Sequence, residues 1–550
     1  MMVSLFTKSL RGIIVLLVLL INVARPEVFT ALVEMEELLE TEAVLITNLE
    51  QYIKAQEEKL LFLRKKAAEY QSEHNEASAD IAGYLTNPIN AFLLTKRLTT
   101  DWKEVENVML YDVGSIYLEN VTNYRNGLKF PTDEDLNGAA VALMRLQDTY
   151  KLDTASVARG ELNGIQYTSE MSVGDCFELG RQSYINGDHY HTVLWMREAM
   201  DRLLRSDNST TTTKADILEY LAFSTYKQGN VDSALTMTNE LLELKPDHER
   251  AMGNKHYYEK ELAMQKSDRK LRGDDGSRDL DMDFEPIRVS DPTKYELPER
   301  RLYEMLCRGD IKPSPTQLAP LRCRYATNNI AFLRIAPLKL EEANLSPYIV
   351  IYHDVMSDEE IEVVKKLAKP RFRRATVQNH KTGELEVAHY RISKSAWLKD
   401  EEHEFVRRIG QRVADMSGLT VETAEELQVV NYGIGGHYEP HFDFARKEET
   451  NAFKSLGTGN RIATVLFYMS DVSQGGATVF PSIRTALWPK KGTAAFWYNL
   501  FASGEGDYET RHAACPVLAG TKWVSNKWLH ESGQEFLRPC KLRPDHPPMY

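Results

Sequence analysis

The chain has 550 residues, 43% hydrophobic and 27% charged, with a formal net charge of −13. A chain this long exceeds one hydrophobic core and calls for about two to four domains. Its acidic balance offers no basic face, which excludes a nucleic-acid-binding class.

At the N-terminus, Lys8 and Arg11 precede the apolar run GIIVLLVLLI (12–21), and Ala24 supplies a small residue before Arg25-Pro26. A span needs about 20 apolar residues. The shorter run therefore reads as a signal peptide over residues 1–24, with an uncleaved anchor as the alternative. No other stretch approaches transmembrane length. Entry to an oxidising compartment changes how the five cysteines read. Pairing by proximity gives Cys307–Cys323 and Cys515–Cys540 and leaves Cys176 over. Sequons at Asn120, Asn208 and Asn344 fit the same compartment as glycosylation sites.

Residues 29–70 contain no Pro or Gly, and Leu38, Leu45, Leu49, Ile53, Leu60 and Leu63 recur at threes and fours. This predicts a long amphipathic helix, either packed on its own domain or self-associating as a coiled coil. It opens a helical dimerisation region over 25–165. Residues 166–264 hold a repeat, in which Leu179, Tyr184 and Gly187 align with Leu221, Tyr226 and Gly229 at an offset of 42. Ala234, Leu241 and Pro246 sit where a tetratricopeptide repeat wants them, and the polar run 209–213 accounts for the excess over the usual period of about 34. Tyr190, Tyr220, Phe223 and Tyr226 either line a groove for an extended peptide or hold the repeats together as core. A charged, Gly- and Pro-punctuated linker spans 265–335 and includes Cys307 and Cys323. From 336 to 550 the texture changes. Short β-rich runs with Gly turns (461–470, 475–481, 492–500, 522–530) predict a double-sheet jelly roll, with covering helices near 357–369 and 401–418.

The last domain carries the chemistry. YEPHFDFARK (438–447) places His441 and Asp443 two apart, one face of a strand. The triplet is weak by itself, since about two His-x-Asp/Glu triplets are expected by chance and three occur, the others being His74/Glu76 and His437/Glu439. His512 in YETRHAACP offers a third donor from another strand. Two histidines and a carboxylate form the facial triad of non-heme Fe(II) oxygenases. Such a site needs an electron-donating co-substrate beside O2. A 2-oxo acid such as 2-oxoglutarate would also need a buried cation for its far carboxylate, and Lys522 is placed for that, unless it is an exposed strand-end lysine.

These residues carry a resemblance. YEPHFDFARK, GTGNRIATVLFYMSDVSQGGATVFP, the run from WPKKGTAAFWYNL to KWLHE, and HYRISKSAW are similar to the catalytic region of collagen prolyl 4-hydroxylase α subunits. The likeness extends over the helical region, the repeat module and the cysteine spacings. It implies that His441, Asp443 and His512 hold Fe(II) and that Lys522 binds 2-oxoglutarate. His530 would orient the co-substrate's chelating end and assist turnover. Tyr438, Arg391, Ser393 and Trp528 would surround substrate or co-substrate. The family hydroxylates proline at C4 in X-Pro-Gly sequences using O2 and 2-oxoglutarate, with ascorbate rescuing oxidised iron. It works in the endoplasmic reticulum lumen as an α2β2 tetramer with protein disulfide isomerase. The C-terminal RPDHPPMY has no Lys-Asp-Glu-Leu-type signal, so a partner is expected to retain the chain. The sequence departs from the family at His437, where a non-ligand polar residue is expected, and at His189 and Phe223, where tyrosines are expected. Two competing readings remain: an inert tetratricopeptide-type chaperone for Pro-rich chains, and an oxygenase acting on another residue such as lysine.

Overall fold

A computed structural model describes residues 30–167, 169–205, 212–272, 297–378, 385–388, 390–449, 451–454 and 456–544. The expected signal peptide, Asn208 and much of the expected linker lie outside them. Among the described residues no helix is long and apolar enough to cross a membrane. The chain divides into two compact units, one of residues 34–132 and one that includes 133–550.

The smaller unit is built on helix α1 (Leu32–Ala79), 48 residues without a breaker. Its other helices fold back along α1. Asn48 Nδ2 donates to the Tyr117 carbonyl at 3.2 Å, Lys59 Nζ to that of Tyr111 at 2.7 Å, and Tyr70 meets Trp102 at 5.5 Å. The helix thus packs on its own domain. It also leaves a row uncovered, in which Leu39, Ile46, Ile53 and Leu60, seven apart, are 67, 51, 47 and 51% exposed.

In the larger unit, helix α2 (Asp133–Tyr150) precedes the repeat module, formed by α3 (Val173–Ile185), α4 (His189–Arg205), α5 (Lys214–Lys227), α6 (Val231–Leu244) and α7 (Glu249–Arg272). The repeat is visible in its caps. Ser172 with Asp175 and Thr213 with Asp216 form equivalent capping boxes at the starts of α3 and α5. Gly187 and Gly229 supply the left-handed turns at φ 73° and 91°. Helix α2, at the end of the expected 25–165 region, makes its contacts within the larger unit. The expected linker contains an ordered helix, α8 (Leu297–Arg308), and the sheet-edge strand β1 (Cys323–Ala326).

The remaining strands are β2 (Leu338–Leu345), β3 (Tyr348–His353), β4 (Arg373–Arg374), β5 (Lys394–Leu398), β6 (Leu427–Asn431), β7 (Tyr438–His441), β8 (Arg461–Tyr468), β9 (Thr478–Phe480), β10 (Thr485–Leu487), β11 (Ala494–Tyr498), β12 (His512–Ala514) and β13 (Trp523–His530). Among the described residues they form a nine-stranded sheet, β1-β2-β3-β11-β8-β13-β6-β5-β4, and a four-stranded sheet, β7-β12-β9-β10. Val430, Leu466, Tyr468, Phe480, Trp497 and Val524 fill the space between the sheets. Helices α9 (Asp358–Ala368) and α10 (Glu404–Ser417) cover the outer face of the large sheet through Ile361, Val364, Ile409 and Val413. This is the expected jelly roll.

The cysteine pairing is corrected. Cys307 bonds to Cys515, with Cα atoms 5.5 Å apart, while Cys323 and Cys540 are exposed thiols and Cys176 is a buried one. Proximity in sequence misled because the last turn of α8 packs on the end of β12. There Leu306, Cys307 and Cys515 share a cluster with Leu146 and Tyr150 of α2. Helix α2 is in turn fixed beside both metal-ligand segments. Tyr150 donates to the Pro516 carbonyl and Arg145 to that of Gly435, and a Cβ on Gly435 (φ 53°) would lie 2.9 Å from the Ala142 carbonyl oxygen.

Candidate metal and co-substrate site

Strands β7 and β12 run antiparallel with His441 opposite His512, which sets their rings 4.4 Å apart. Asp443 arrives differently from the expected strand alternation. The register shifts within β7, the strand ends at His441, and Asp443 lies in the bend beyond it. From there its carboxylate oxygens come 3.7 Å from Nε2 of both histidines. The three donor atoms lie within 4.8 Å of one another, and this is the one such cluster among the described residues. His437/Glu439 and His74/Glu76 form no such group.

The donors are oriented by bonds from behind. Nδ1 of His441 donates to the Glu439 carbonyl at 2.8 Å and Nδ1 of His512 to that of Thr510 at 3.0 Å, which turns each Nε2 lone pair inward. Asp443 Oδ2 accepts from the Thr464 hydroxyl at 2.7 Å, and Thr464 Oγ1 accepts from Asn499 Nδ2 at 2.9 Å. Burial, reinforced by His512, pushes His441 well below the usual imidazole range. Burial alone would raise Asp443, but His512, His441, Arg461 and Thr464 together hold it at about 2. Neutral imidazole and ionised carboxylate are the forms that bind a divalent cation, and this donor set fits Fe(II) with open positions.

Lys522 lies just before β13, only 1% exposed. Burial pushes its ammonium down to about 7, and no charged or hydrogen-bonding neighbour among the described residues compensates. Its Nζ sits 5.0 Å from the Tyr432 ring, and a Cβ on Gly476 would press on its Cδ at 3.4 Å. Lys527, also buried, differs in being paired with Asp400 at 3.1 Å. A dry, unpaired ammonium is a receptor for a carboxylate.

The surrounding residues divide into two groups. Tyr438 stacks on His441 at 3.5 Å and is covered by the Arg391 guanidinium at 4.8 Å, which also donates to Gln428 at 3.1 Å. Arg461 lies 3.9 Å over Trp528 and pairs with Glu425, whose Oε1 also meets His530 Nε2 at 2.9 Å. Nδ1 of His530 faces the Gly459 carbonyl at 2.9 Å. His530 therefore stands at the opposite end of β13 from Lys522, tied to Glu425. The buried Ser393 hydroxyl and Trp528 Nε1 have no hydrogen-bond partner among the described residues. The sequence reading missed Thr464, Asn499, Glu425 and Arg461, polar residues whose partners lie far away in the chain.

In the repeat module, Tyr220 and Phe223 pack edge to face with Tyr184 at 5.0 and 5.7 Å, and Tyr226 stacks on Tyr258 at 4.6 Å. Tyr257, 5.7 Å from Tyr226, extends the row. Tyr190 instead packs on His191 at 4.8 Å. Tyr257 and Tyr258 were missed because the repeat pattern was not carried on into α7. Of the sequons, Asn120 Nδ2 donates to Asn48 and Asn344 Nδ2 to the Pro347 carbonyl.

Residues 31–164 match the prolyl 4-hydroxylase alpha-subunit N-terminal region, 173–264 the prolyl 4-hydroxylase peptide-substrate-binding domain, and 427–530 the 2OG-Fe(II) oxygenase superfamily. The human prolyl 4-hydroxylase subunit alpha-1 is 53% identical over 524 residues, covering 95% of this chain and 97% of that one. The chain belongs to the prolyl 4-hydroxylase alpha-subunit family. Prolyl 4-hydroxylase subunit alpha-2 of Caenorhabditis elegans is 50% identical over 96% of both chains. A solved viral collagen prolyl hydroxylase from Paramecium bursaria Chlorella virus-1 is 25% identical, covering 33% of this chain and 94% of that one, with a TM-score of 0.26. As a member of this family the chain is an enzyme, a proline-hydroxylating oxygenase dependent on Fe(II) and 2-oxoglutarate.

Proposed function

We propose that this chain hydroxylates C4 of proline in X-Pro-Gly segments of collagen-like chains at the site formed by His441, Asp443 and His512. The observation that carries the reading is the pairing of that buried triad with an unpartnered buried cation, Lys522. Fe(II) held by these residues would supply the oxidising power with O2 and 2-oxoglutarate, one oxygen atom going to succinate as CO2 leaves and the other to the proline. The protein's own work is positioning. Thr464 and the two backbone carbonyls fix the donors, and Lys522 receives the distal carboxylate of 2-oxoglutarate. Tyr438 and Arg391 wall one side of the space beside His441. Trp528, with Arg461 stacked on it, and the buried Ser393 belong to the wall around substrate and co-substrate in this reading. Both ring nitrogens of His530 are engaged, so in this reading it acts by holding Glu425 and thus Arg461. The row from Tyr184 to Tyr258 receives further Pro-rich chain, whose polyproline II form suits aromatic faces.

The finer biology belongs to the same proposal. Ascorbate rescues oxidised metal, and the chain works in the endoplasmic reticulum lumen. Two copies pair through the seam of Leu39, Ile46, Ile53 and Leu60, with protein disulfide isomerase completing an α2β2 assembly. Asn120, Asn208 and Asn344 are its candidate glycosylation sites. The test is CO2 release from 2-oxoglutarate by the purified assembly. Release that requires a Pro-rich peptide supports the reading, and peptide binding with no release would favour an inert chaperone.

A further inference from the structure

A cavity of about 1010 Å³ lies between the repeat module and the jelly roll. One wall is the face of α2 carrying Asn137, Val141 and Arg145 at helical spacing. Another is the end of α3, Gln182 and Ile185, next in sequence to Tyr184 of the aromatic row. Its far side is Glu439, whose carbonyl holds the His441 ring at 2.8 Å and which adjoins Tyr438. The cavity thus touches the start of the peptide groove and the rim of the metal site. Its walls are fixed relative to the metal by the Arg145–Gly435 and Tyr150–Pro516 bonds.

We infer that this cleft carries the stretch of substrate chain lying between the segment held by the repeat module and the proline at the metal, so that one peptide occupies both sites at once. The inference rests on the prolyl hydroxylase reading above. The lining chemistry selects the occupant. Asp133 and Glu134 stand in the same cleft as Arg145 and Arg181, so neither a simple anion nor a simple cation is favoured. An extended polyproline II peptide has no internal hydrogen bonds and leaves its amide groups to be met by others. Asn137, held by Gln182 at 2.9 Å, places a side-chain amide along the path, and Ile185, 58% exposed, adds an apolar contact. The volume sits at the upper end of small-ligand pockets, roughly 300–1,000 Å³, which suits a run of chain.

The test uses the full assembly with two (Pro-Pro-Gly)-type peptides, of about 30 and about 9 residues, or roughly 90 and 28 Å when extended. A photo-crosslinking residue at Val141 is expected to capture the long peptide, competed away by unlabelled peptide, while the same residue at exposed Leu318 captures none. Independently, Ile185→Trp is expected to lower the ratio of kcat/KM for the long peptide over the short one by about tenfold, through KM. The inference is overturned if a Val141 variant that hydroxylates the long peptide gives no capture above the Leu318 level. An unchanged ratio in an Ile185→Trp enzyme that turns over the short peptide overturns it equally. Failure of the unmodified enzyme to hydroxylate either peptide would instead overturn the activity reading.

Discussion

Replacing Lys522 with Met should make the ligand-free protein more stable and the enzyme worse, and the two effects have one cause. Burial lowers the ammonium from 10.5 to about 7, which at about 1.4 kcal/mol per tenfold step places the cost of the buried charge at up to about 5 kcal/mol. The sign follows from proton binding. The unfolded chain keeps its proton up to about pH 10.5, the folded site only to about 7. The penalty is therefore full below pH 7, shrinks by about 1.4 kcal/mol per unit above it, and vanishes near 10.5. Lys522→Met removes the penalty, so at pH 6 its unfolding midpoint in urea should exceed that of the parent protein, with the gap closing as pH rises. Breaking a buried charge pair on one side costs about 3–5 kcal/mol, so the KM for 2-oxoglutarate should rise by about two to four orders of magnitude. Lys522→Arg keeps the charge and should lose less. A Met variant that is less stable at pH 6, or whose KM is unchanged, would refute the reasoning.

His441→Ala, Asp443→Ala and His512→Ala should each abolish hydroxylation while expression and assembly persist, whereas His437→Ala should keep most activity. An active His441→Ala would void the ligand assignment. Thr464→Val removes the hydrogen bond to Asp443 Oδ2 and should weaken Fe(II) affinity by about tenfold, read by metal titration under nitrogen. Gly435→Ala forces a side chain into a left-handed φ of 53° against the Ala142 carbonyl. It should destabilise the larger unit by about 2 kcal/mol, and a neutral result in denaturant melts would show that α2 is free to move there.

The jelly roll was legible because its strands are short apolar runs cut by Gly turns, and 461–470, 492–500 and 522–530 each contain a strand. The triad was legible because its donors are rare residue types in a distinctive local setting. Long-range partnership was not. Asp443 reaches the site through a bend and a register shift that no alternation pattern encodes. Cys307 finds Cys515 only because α8 lands on β12. Thr464 and Asn499 read as ordinary strand and loop residues until the sheets place them behind Asp443. Nor does any local pattern say that helix α2, near the end of the 25–165 region, packs beside Cys307, Cys515 and Gly435.

The site held by His441, Asp443 and His512 couples oxidation of peptidyl proline to decarboxylation of 2-oxoglutarate. The most direct measurement incubates the purified assembly with Fe(II), 2-oxoglutarate, ascorbate and a (Pro-Pro-Gly)-type peptide under isotopically labelled O2. Tandem mass spectrometry locates the label while succinate is counted in parallel. One labelled oxygen on the proline preceding glycine for each succinate formed, and none in His441→Ala, is the predicted result. Succinate without oxygen on proline, or label placed on another residue such as lysine in a mixed peptide, would contradict it.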